Sequence, residues 1–316
     1  MDPAIILGFF LFGLVFGSFL NVCIYRMPQG LSVVSPRSAC PACGVPIAAY
    51  DNIPVLSWLL LRGKCRNCKV RISPRYALVE LLTAIFFALS YYVSSASPEL
   101  AAEAAKLCVL SFLLIGLIFT DAETQLLPDL LTLPGLLLGL VFSFFAPVEM
   151  CPDMERSSGP VGWLLSDRFG GDSGWRILSF ANSVTGAVFG VAFMWGVAFL
   201  YRKVRGKEGM GMGDVKLMGM IGAFLGIELT VAVVMLGSII GSLFGVTVML
   251  LVFRKRLERI GRRNLSPAVA RARAWSSANL LFSYFPIAFG VFLGTAALVA
   301  AFAGAPVMRW YLGLCR

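Results

Sequence analysis

The chain of 316 residues contains no histidine, and charged side chains make up only 14% of it. Without histidine, a Ser-His-Asp triad, a Cys-His pair and an HExxH zinc site are all excluded. A soluble protein usually carries roughly a quarter charged residues. Since 58% of the residues are hydrophobic and the mean hydropathy is +0.83, the composition indicates an integral membrane protein.

The apolar segments are continuous rather than alternating, which predicts an all-α polytopic membrane protein and not a barrel. A helix needs about 20 apolar residues to cross a hydrocarbon core of about 30 Å. On this basis we predict about eight transmembrane helices. The sixth is short and rich in glycine, and it begins at Asp214. The predicted spans are residues 3–24, 76–96, 104–120, 126–146, 179–201, 214–228, 230–253 and 279–304.

The basic residues concentrate in three segments between these spans. Of 27 Lys and Arg residues, eight lie in 26–75, five in 202–216 and eight in 254–276. Residues 94–103 carry two acids and no base, and residues 147–178 carry five acids and three bases. With eight spans and both termini periplasmic, every basic segment is cytoplasmic, as the positive-inside rule requires. A seven-span alternative without the sixth helix would place 254–276 outside, against its charge.

This topology predicts three parts: a first transmembrane helix at 1–25, a cytoplasmic domain at 26–75, and a seven-helix membrane domain at 76–316. Residues 147–178, rich in Gly and Ser, form a periplasmic insertion in the third part. The net charge of +10 is explained by orientation in the membrane. The lipid bilayer is therefore the partner that we predict for the basic residues, and nucleic acid is not.

Four cysteines lie in two close pairs within the predicted cytoplasmic domain. Cys40, Cys43, Cys65 and Cys68 give the pattern C-x2-C-x21-C-x2-C, which is close to the spacing of a zinc ribbon. Disulfides or free thiols are the alternatives, and the cytosol disfavours disulfides. A zinc ion held by four thiolates has no open position for a substrate. The pattern therefore predicts a zinc-ribbon-like domain with a structural metal.

Two aspartates, Asp121 and Asp214, lie at the edges of apolar segments. An ionisable group at membrane depth is costly, which makes it a functional candidate. The predicted topology brings both to the cytoplasmic face. In a chain without histidine, a pair of carboxylates that shares one proton is an available acid–base device. The pattern predicts an aspartic-protease dyad, while the reading of either residue as a helix cap stays open.

Residues around the two aspartates are secondary candidates. Gly209, Gly211 and Gly213 precede Asp214 and allow a backbone with positive φ and no side-chain obstruction, against which an extended peptide can lie. Asp129 follows Pro128, which is typical of a helix start. Asp129 competes with Asp121 as the first member of the pair, and we predict a structural or supporting role for it.

The chain resembles the type IV prepilin peptidases, which are bifunctional leader peptidase/N-methyltransferases, along nearly its whole length. Each motif is weak alone, but their order and spacing are specific. Besides the four cysteines and the aspartates, the motifs are GSFLNV at 17–22, DNIPVLSW at 51–58, RYALVE at 75–80, LPD at 127–129 and GMGDVK at 211–216.

The resemblance implies a membrane aspartic endopeptidase of the GxGD class with Asp121 and Asp214 as its catalytic pair. The implied substrate is a prepilin or pseudopilin, cleaved after the glycine that ends its basic leader, at the cytoplasmic face of the bacterial inner membrane. Pilus or secretion assembly machinery is implied as an indirect partner. The resemblance also implies methylation of the new N-terminal amine by S-adenosylmethionine, for which the sequence identifies no binding residues.

For three more charged residues the sequence supports two alternative roles each. Glu80, near the start of the second span, either pairs with Arg75 or meets the positive amine of the substrate. Glu208 either attracts the basic leader or is an ordinary exposed acid. Lys216 either neutralises the dyad or extends to lipid headgroups.

Two other functions remain as alternatives at this point. One is a GxGD intramembrane peptidase that acts on other membrane proteins. The other is a proton-coupled transporter with a zinc-stabilised loop. Transporters typically contain paired or inverted repeats, which the sequence does not show.

Overall fold

A computed structural model describes residues 2–95, 97, 99–148, 174–206, 211–261, 267–284 and 288–314. Within these residues the chain is helical, with two isolated β-bridges and no strand. Most of the predicted insertion, and Glu208, lie outside the described residues. The helices are α1 (Pro3–Arg26), α2 (Leu56–Leu60), α3 (Arg75–Ser94), α4 (Leu100–Thr124), α5 (Asp129–Phe142), α6 (Gly174–Arg205), α7 (Met212–Gly261), α8 (Pro267–Tyr284) and α9 (Phe289–Leu314), with 3₁₀ turns at Met27–Gln29 and Ala49–Asn52.

Five of the described helices are long and apolar enough to cross a membrane, which confirms the predicted all-α polytopic fold. Helix α5 and the Phe289–Gly304 part of α9 are apolar but shorter. They occupy the fourth and eighth predicted spans. The five long segments are Pro3–Gln29, Arg75–Ser94, Leu100–Thr124, Gly174–Arg205 and Met212–Ile260.

Helix α7 is two membrane segments joined at a sharp break. Gly226 has φ 75° and ψ 177°, outside the helical region. The second arm runs back along α9, since Leu229 packs against Gly304 while Gly241 packs against Phe292. The two arms therefore correspond to the sixth and seventh predicted spans.

Glycines bring the first arm of α7 into direct backbone contact with α6. A Cβ atom on Gly222 would overlap the carbonyl of Gly186, and one on Gly190 would overlap the carbonyl of Met218. Small residues let helices approach this closely where lipid provides no hydrophobic driving force. The glycines of the short sixth span thus serve helix packing.

The C-terminal region differs from the prediction in its boundaries. Most of the predicted loop 254–276 is helical, because α7 extends to Gly261 and α8 begins at Pro267. The predicted span 279–304 is divided between α8 and α9. Pro286 lies in the sequence between them, and it lacks the backbone N–H that a continuous helix requires. Helix α8 packs on the second arm of α7, where the Trp275 and Phe253 rings lie 5.9 Å apart.

Polar contacts are found at both ends of the bundle. At one end, Lys106 is buried and donates to the carbonyl of Pro147 at 3.0 Å. Ser179 and Asn182 bind the backbone of Val148 there, at 3.0 Å each. The other end, which we call the aspartate end, contains Asp121, Asp214 and the segment 26–75.

Candidate active site

Asp121 lies in the last turn of α4 and is held by the first turn of α9. It is only 5% exposed. Its Oδ2 accepts a hydrogen bond from the N–H of Val291 at 3.0 Å. The first N–H groups of a helix have no partner within the helix and favour a negative charge. Helix α9 therefore fixes this carboxylate in position.

Asp214 lies in the first turn of α7 and is half-buried. Its backbone N–H donates to the carbonyl of Gly211 at 3.2 Å. Gly213, next to Asp214, packs on Leu127, and Gly290, which contacts Asp121, packs on the same leucine. The fold thus brings together two acids that are 93 positions apart in the sequence.

Leu127 contacts glycines that lie next to each of the two aspartates. A Cβ atom on Gly290, the residue before Val291, would lie 2.8 Å from Oδ2 of Asp121 and 3.3 Å from Cδ1 of Leu127. A Cβ atom on Gly213 would lie 2.9 Å from Cβ of the same leucine. The two glycines let α7 and α9 approach the α4–α5 connection.

Gly213 does not use the freedom to adopt positive φ. Gly213 is required instead by its close contact with Leu127. Around Gly211 the space is open, since the nearest atom to its Cβ position is the Gly213 nitrogen at 3.9 Å.

Lys216 pairs with Asp129 across the starts of α7 and α5. Its Nζ lies 2.7 Å from Oδ1 and 2.8 Å from Oδ2 of that carboxylate. The pair is partly exposed. It joins the helix that begins beside Asp214 to the connection that follows Asp121.

Glu80 is buried at the start of α3 and does not pair with Arg75. Its Oε2 accepts a hydrogen bond from the N–H of Val55 at 2.7 Å. Arg75 instead forms an ion pair with Glu123, two residues after Asp121. This ion pair ties the start of α3 to the end of α4.

The four cysteines form one cluster in which every Sγ atom lies within 4.8 Å of the others. Cys40 Sγ and Cys68 Sγ are 3.7 Å apart. A tetrahedral zinc ion with Zn–S bonds of about 2.3 Å requires sulfur atoms about 3.8 Å apart. The cluster therefore fits a zinc ion.

The two cysteine pairs lie in equivalent turns. The N–H of Cys40 donates to Val45 at 3.0 Å, and the N–H of Cys65 donates to Val70 at 2.9 Å. In each turn, the residue after the second cysteine has positive φ. This residue is Gly44 in the first turn (70°) and Lys69 in the second (60°). Such turns direct two thiolates to one face of a metal.

The second cysteine turn is anchored to the DNIPVLSW motif by an ion pair. Arg66 donates from Nε and Nη2 to the two oxygens of Asp51, at 2.7 and 2.6 Å. This guanidinium holds the pKa of the Asp51 carboxyl below its usual value. The pair keeps the motif beside the cluster.

Sequence reasoning missed the residues that hold Asp121. Val291 acts through its backbone, which leaves no side-chain signal. Gly290 had one weak signal, a glycine inside an apolar segment. Leu127 was noted within the LPD motif, but its contacts with two glycines follow from packing between distant helices.

Two family profiles match this chain. Residues 11–94 match the Bacterial Peptidase A24 N-terminal domain. Residues 108–246 match the Type IV leader peptidase family. The first match contains the four cysteines and Glu80, and the second contains both aspartates. No solved structure matches the chain.

Several curated relatives bear the description prepilin leader peptidase/N-methyltransferase. The chain is 34% identical to the relative from Aeromonas salmonicida strain A449, over 96% of this chain and 92% of the relative. It is 33% identical to the relative from Pseudomonas aeruginosa, over 98% of this chain and 94% of the relative. It is 40% identical to the relative from Klebsiella pneumoniae, over 69% of this chain and 83% of the relative.

Proposed function

The chain belongs to the type IV leader peptidase family, and from this premise we propose that Asp121 and Asp214 are the catalytic pair of a prepilin leader peptidase/N-methyltransferase. One observation carries the proposal. Gly213, next to Asp214, and Gly290, which contacts Asp121, both pack on Leu127 at one end of a membrane bundle, although the two aspartates come from the start of α7 and the end of α4.

The pair performs peptide hydrolysis by sharing one proton. The ionised carboxylate takes a proton from water while the water oxygen attacks the scissile carbonyl carbon. The protonated carboxylate donates its proton to the carbonyl oxygen, which forms a tetrahedral intermediate. When the intermediate collapses, the C–N bond breaks and the leaving amine takes a proton from the pair. The hydrogen bond from Val291 holds Asp121 in place throughout.

The proposed substrate is a prepilin or pseudopilin, cut after the glycine of its basic leader. We place the aspartate end at the cytoplasmic face of the bacterial inner membrane, with both termini periplasmic. The basic residues support this orientation, because the segment 26–75 and the basic end of α6 lie at the aspartate end. The division into 1–25, 26–75 and 76–316, with 147–178 as a periplasmic insertion, is part of the proposal. Contact with pilus or secretion assembly machinery would be indirect.

Two further groups complete the proposal. A zinc ion held by Cys40, Cys43, Cys65 and Cys68 would fix the fold of the segment 26–75, and the sulfur distances support it. S-adenosylmethionine would supply the methyl group for the new N-terminal amine.

The test is cleavage of a purified prepilin by purified Asp121→Asn and Asp214→Asn variants. We expect each to lose at least about three orders of magnitude in rate, since neither amide can exchange a proton. Asp129→Asn is the matched control and should retain measurable cleavage. If Asp121→Asn still cuts while Asp129→Asn does not, the pair is misassigned.

The same assay separates the alternative functions. Equal cleavage of unrelated helical membrane proteins would indicate a broader GxGD peptidase. A proton-coupled transporter would leave the prepilin intact even with the wild-type protein.

A further inference from the structure

A small buried polar cluster lies where α1 packs on α3, apart from the two aspartates. Asn21 is 4% exposed and Glu80 is 9% exposed. Ser18, about two turns before the end of α1, is close enough to Glu80 to serve as a hydrogen-bond partner of its carboxylate. The proteolytic mechanism uses none of these three residues.

The cluster has an excess of hydrogen-bond acceptors. Asn21 Nδ2 donates to the carbonyl of Tyr76 at 2.9 Å. Since that carbonyl can only accept, the orientation of the amide is fixed, and its Oδ1 is buried with no partner. In the described part of the chain, no Lys or Arg forms an ion pair with Glu80. Buried acceptors without donors are unfavourable, so the cluster suits a ligand that brings several N–H donors and a positive charge.

The two helices are in direct contact at the cluster. Gly17 lies so close to α3 that a Cβ atom there would be 2.6 Å from Cα of Glu80. Gly17 is one helical turn before Asn21, and Tyr76 is one turn before Glu80. The Asn21 and Glu80 side chains therefore lie at the same helix crossing.

The cover of the cluster is a strained turn. Val55, whose N–H binds Glu80, has φ of 60°. This conformation is rare for a β-branched residue, and such strain clusters at functional sites. The Val55 N–H is the donor that a ligand ammonium group would replace at the carboxylate.

The cluster lies at nearly the same depth in the bundle as Asp121. Leu20, next to Asn21, packs against Gly116, five residues before Asp121. At the start of α3, Arg75 pairs with Glu123, two residues after Asp121. An N-terminus released at the aspartates therefore reaches the cluster without crossing the membrane.

We propose that Glu80, Asn21 and Ser18 form the subsite that binds the N-terminal ammonium group of the cleaved substrate and presents it for methylation. The proposal rests on the proposed function. Glu80 takes one proton from the ammonium group, and the nitrogen lone pair then attacks the methyl carbon of the sulfonium donor. The carbon–sulfur bond breaks, its electron pair passes to sulfur, and the product is a secondary ammonium.

A basic side chain of the leader offers the same ammonium chemistry, so the experiment must separate the two sources. We would measure binding to the purified full chain in detergent, without any methyl donor, by fluorescence anisotropy. The probes are a labelled peptide of the mature pilin N-terminus with a free amine, the same peptide N-acetylated, and a labelled leader peptide. We expect the wild type to bind the free-amine peptide at least about tenfold more tightly than the acetylated one, as for a charged hydrogen bond.

Glu80→Gln is the informative variant, because glutamine keeps a carbonyl acceptor for Val55 and Ser18 but has no charge. It should bind the free and acetylated peptides nearly equally. Ser90→Ala is the matched control. Ser90 is buried on the same helix and donates to the Phe86 carbonyl at 2.7 Å, outside the cluster, so its variant should keep the preference for the free amine.

Three outcomes would overturn the proposal. They are equal binding of both mature peptides by the wild type, an unchanged preference in Glu80→Gln, and preferential binding of the leader peptide. As a second measurement, Glu80→Gln should lower methyl transfer at least about tenfold more than it lowers cleavage. Because the binding probes are already cleaved peptides, a wild type that cuts no prepilin would refute the proposed function separately.

Discussion

The substitution Gly290→Ala should impair cleavage by displacing one carboxylate while leaving both aspartates in the chain. The new Cβ atom would lie 2.8 Å from Oδ2 and 3.2 Å from Cγ of Asp121. Ordinary non-bonded contacts between heavy atoms are about 3.5 Å or longer. The carboxylate must therefore move by about 0.5 Å or more, or α9 must move away and weaken the hydrogen bond from Val291.

The expected loss follows from the sensitivity of catalysis to geometry. A misplacement of about 1 Å can reduce a rate about a hundredfold, so a shift of about half that size should reduce kcat about tenfold. This corresponds to a barrier increase of about 1.4 kcal/mol. Because the substitution does not touch the substrate-binding surface away from Asp121, we expect KM to change less than kcat. Cleavage of a purified prepilin by the purified variant, over a range of substrate concentrations, measures both.

Gly294→Ala is the matched control, one helical turn further along α9. Its Cβ would lie 2.6 Å from Cγ1 of Ile118 on α4, so it strains the same helix interface through an aliphatic side chain. Thermal unfolding of the two variants should shift by similar amounts. If Gly294→Ala loses as much kcat as Gly290→Ala, helix packing explains the effect and the carboxylate does not. Wild-type kcat in Gly290→Ala would refute the reasoning directly.

Two further predictions concern stability and metal binding. Gly222→Ala should destabilise the protein by about 1–3 kcal/mol through overpacking against the backbone of α6, whereas Gly196→Ala, which has open space around it, should be neutral or slightly stabilising in the same unfolding assay. In metal-stripped protein, the N–H of Val45 and then the amide of Asn67 lower the pKa of the Cys43 thiol to about 7. Its alkylation should therefore accelerate as the pH rises through 7, and zinc should suppress it; an alkylation rate that zinc does not change would exclude Cys43 as a ligand.

Much of the fold follows from composition and charge, because lipid restricts the chain to helices whose lengths are set by the bilayer. The basic segment 254–276 also predicted that the short sixth segment is a span of its own, because without it this segment would lie on the outer side of the membrane. The charge of that segment does not predict its helices, since basic residues mark the side of the membrane and not the secondary structure. Helix α8 was missed for this reason.

The candidate site can be predicted from the sequence where side chains form it, and it is hard to predict where backbone groups form it. Asp121, Asp214 and the four cysteines are distinctive in an apolar chain without histidine. By contrast, Val291 acts through its N–H, and Val55 and Lys69 adopt positive φ without being glycine. Gly213 shows the opposite case, in which a glycine is needed for close packing and not for its backbone freedom.

The hydrogen bond from Val291 to Asp121 joins residues 170 positions apart, and this has a consequence for biosynthesis. Helix α4, with Asp121, leaves the ribosome first, and α7 brings Asp214 later. Only when α9 has been translated and inserted does Asp121 acquire the donor that holds it. If the two aspartates are the proposed catalytic pair, the nascent chain has both of them in the membrane well before Asp121 acquires this donor, and we expect proteolytic competence only when α9 is in place.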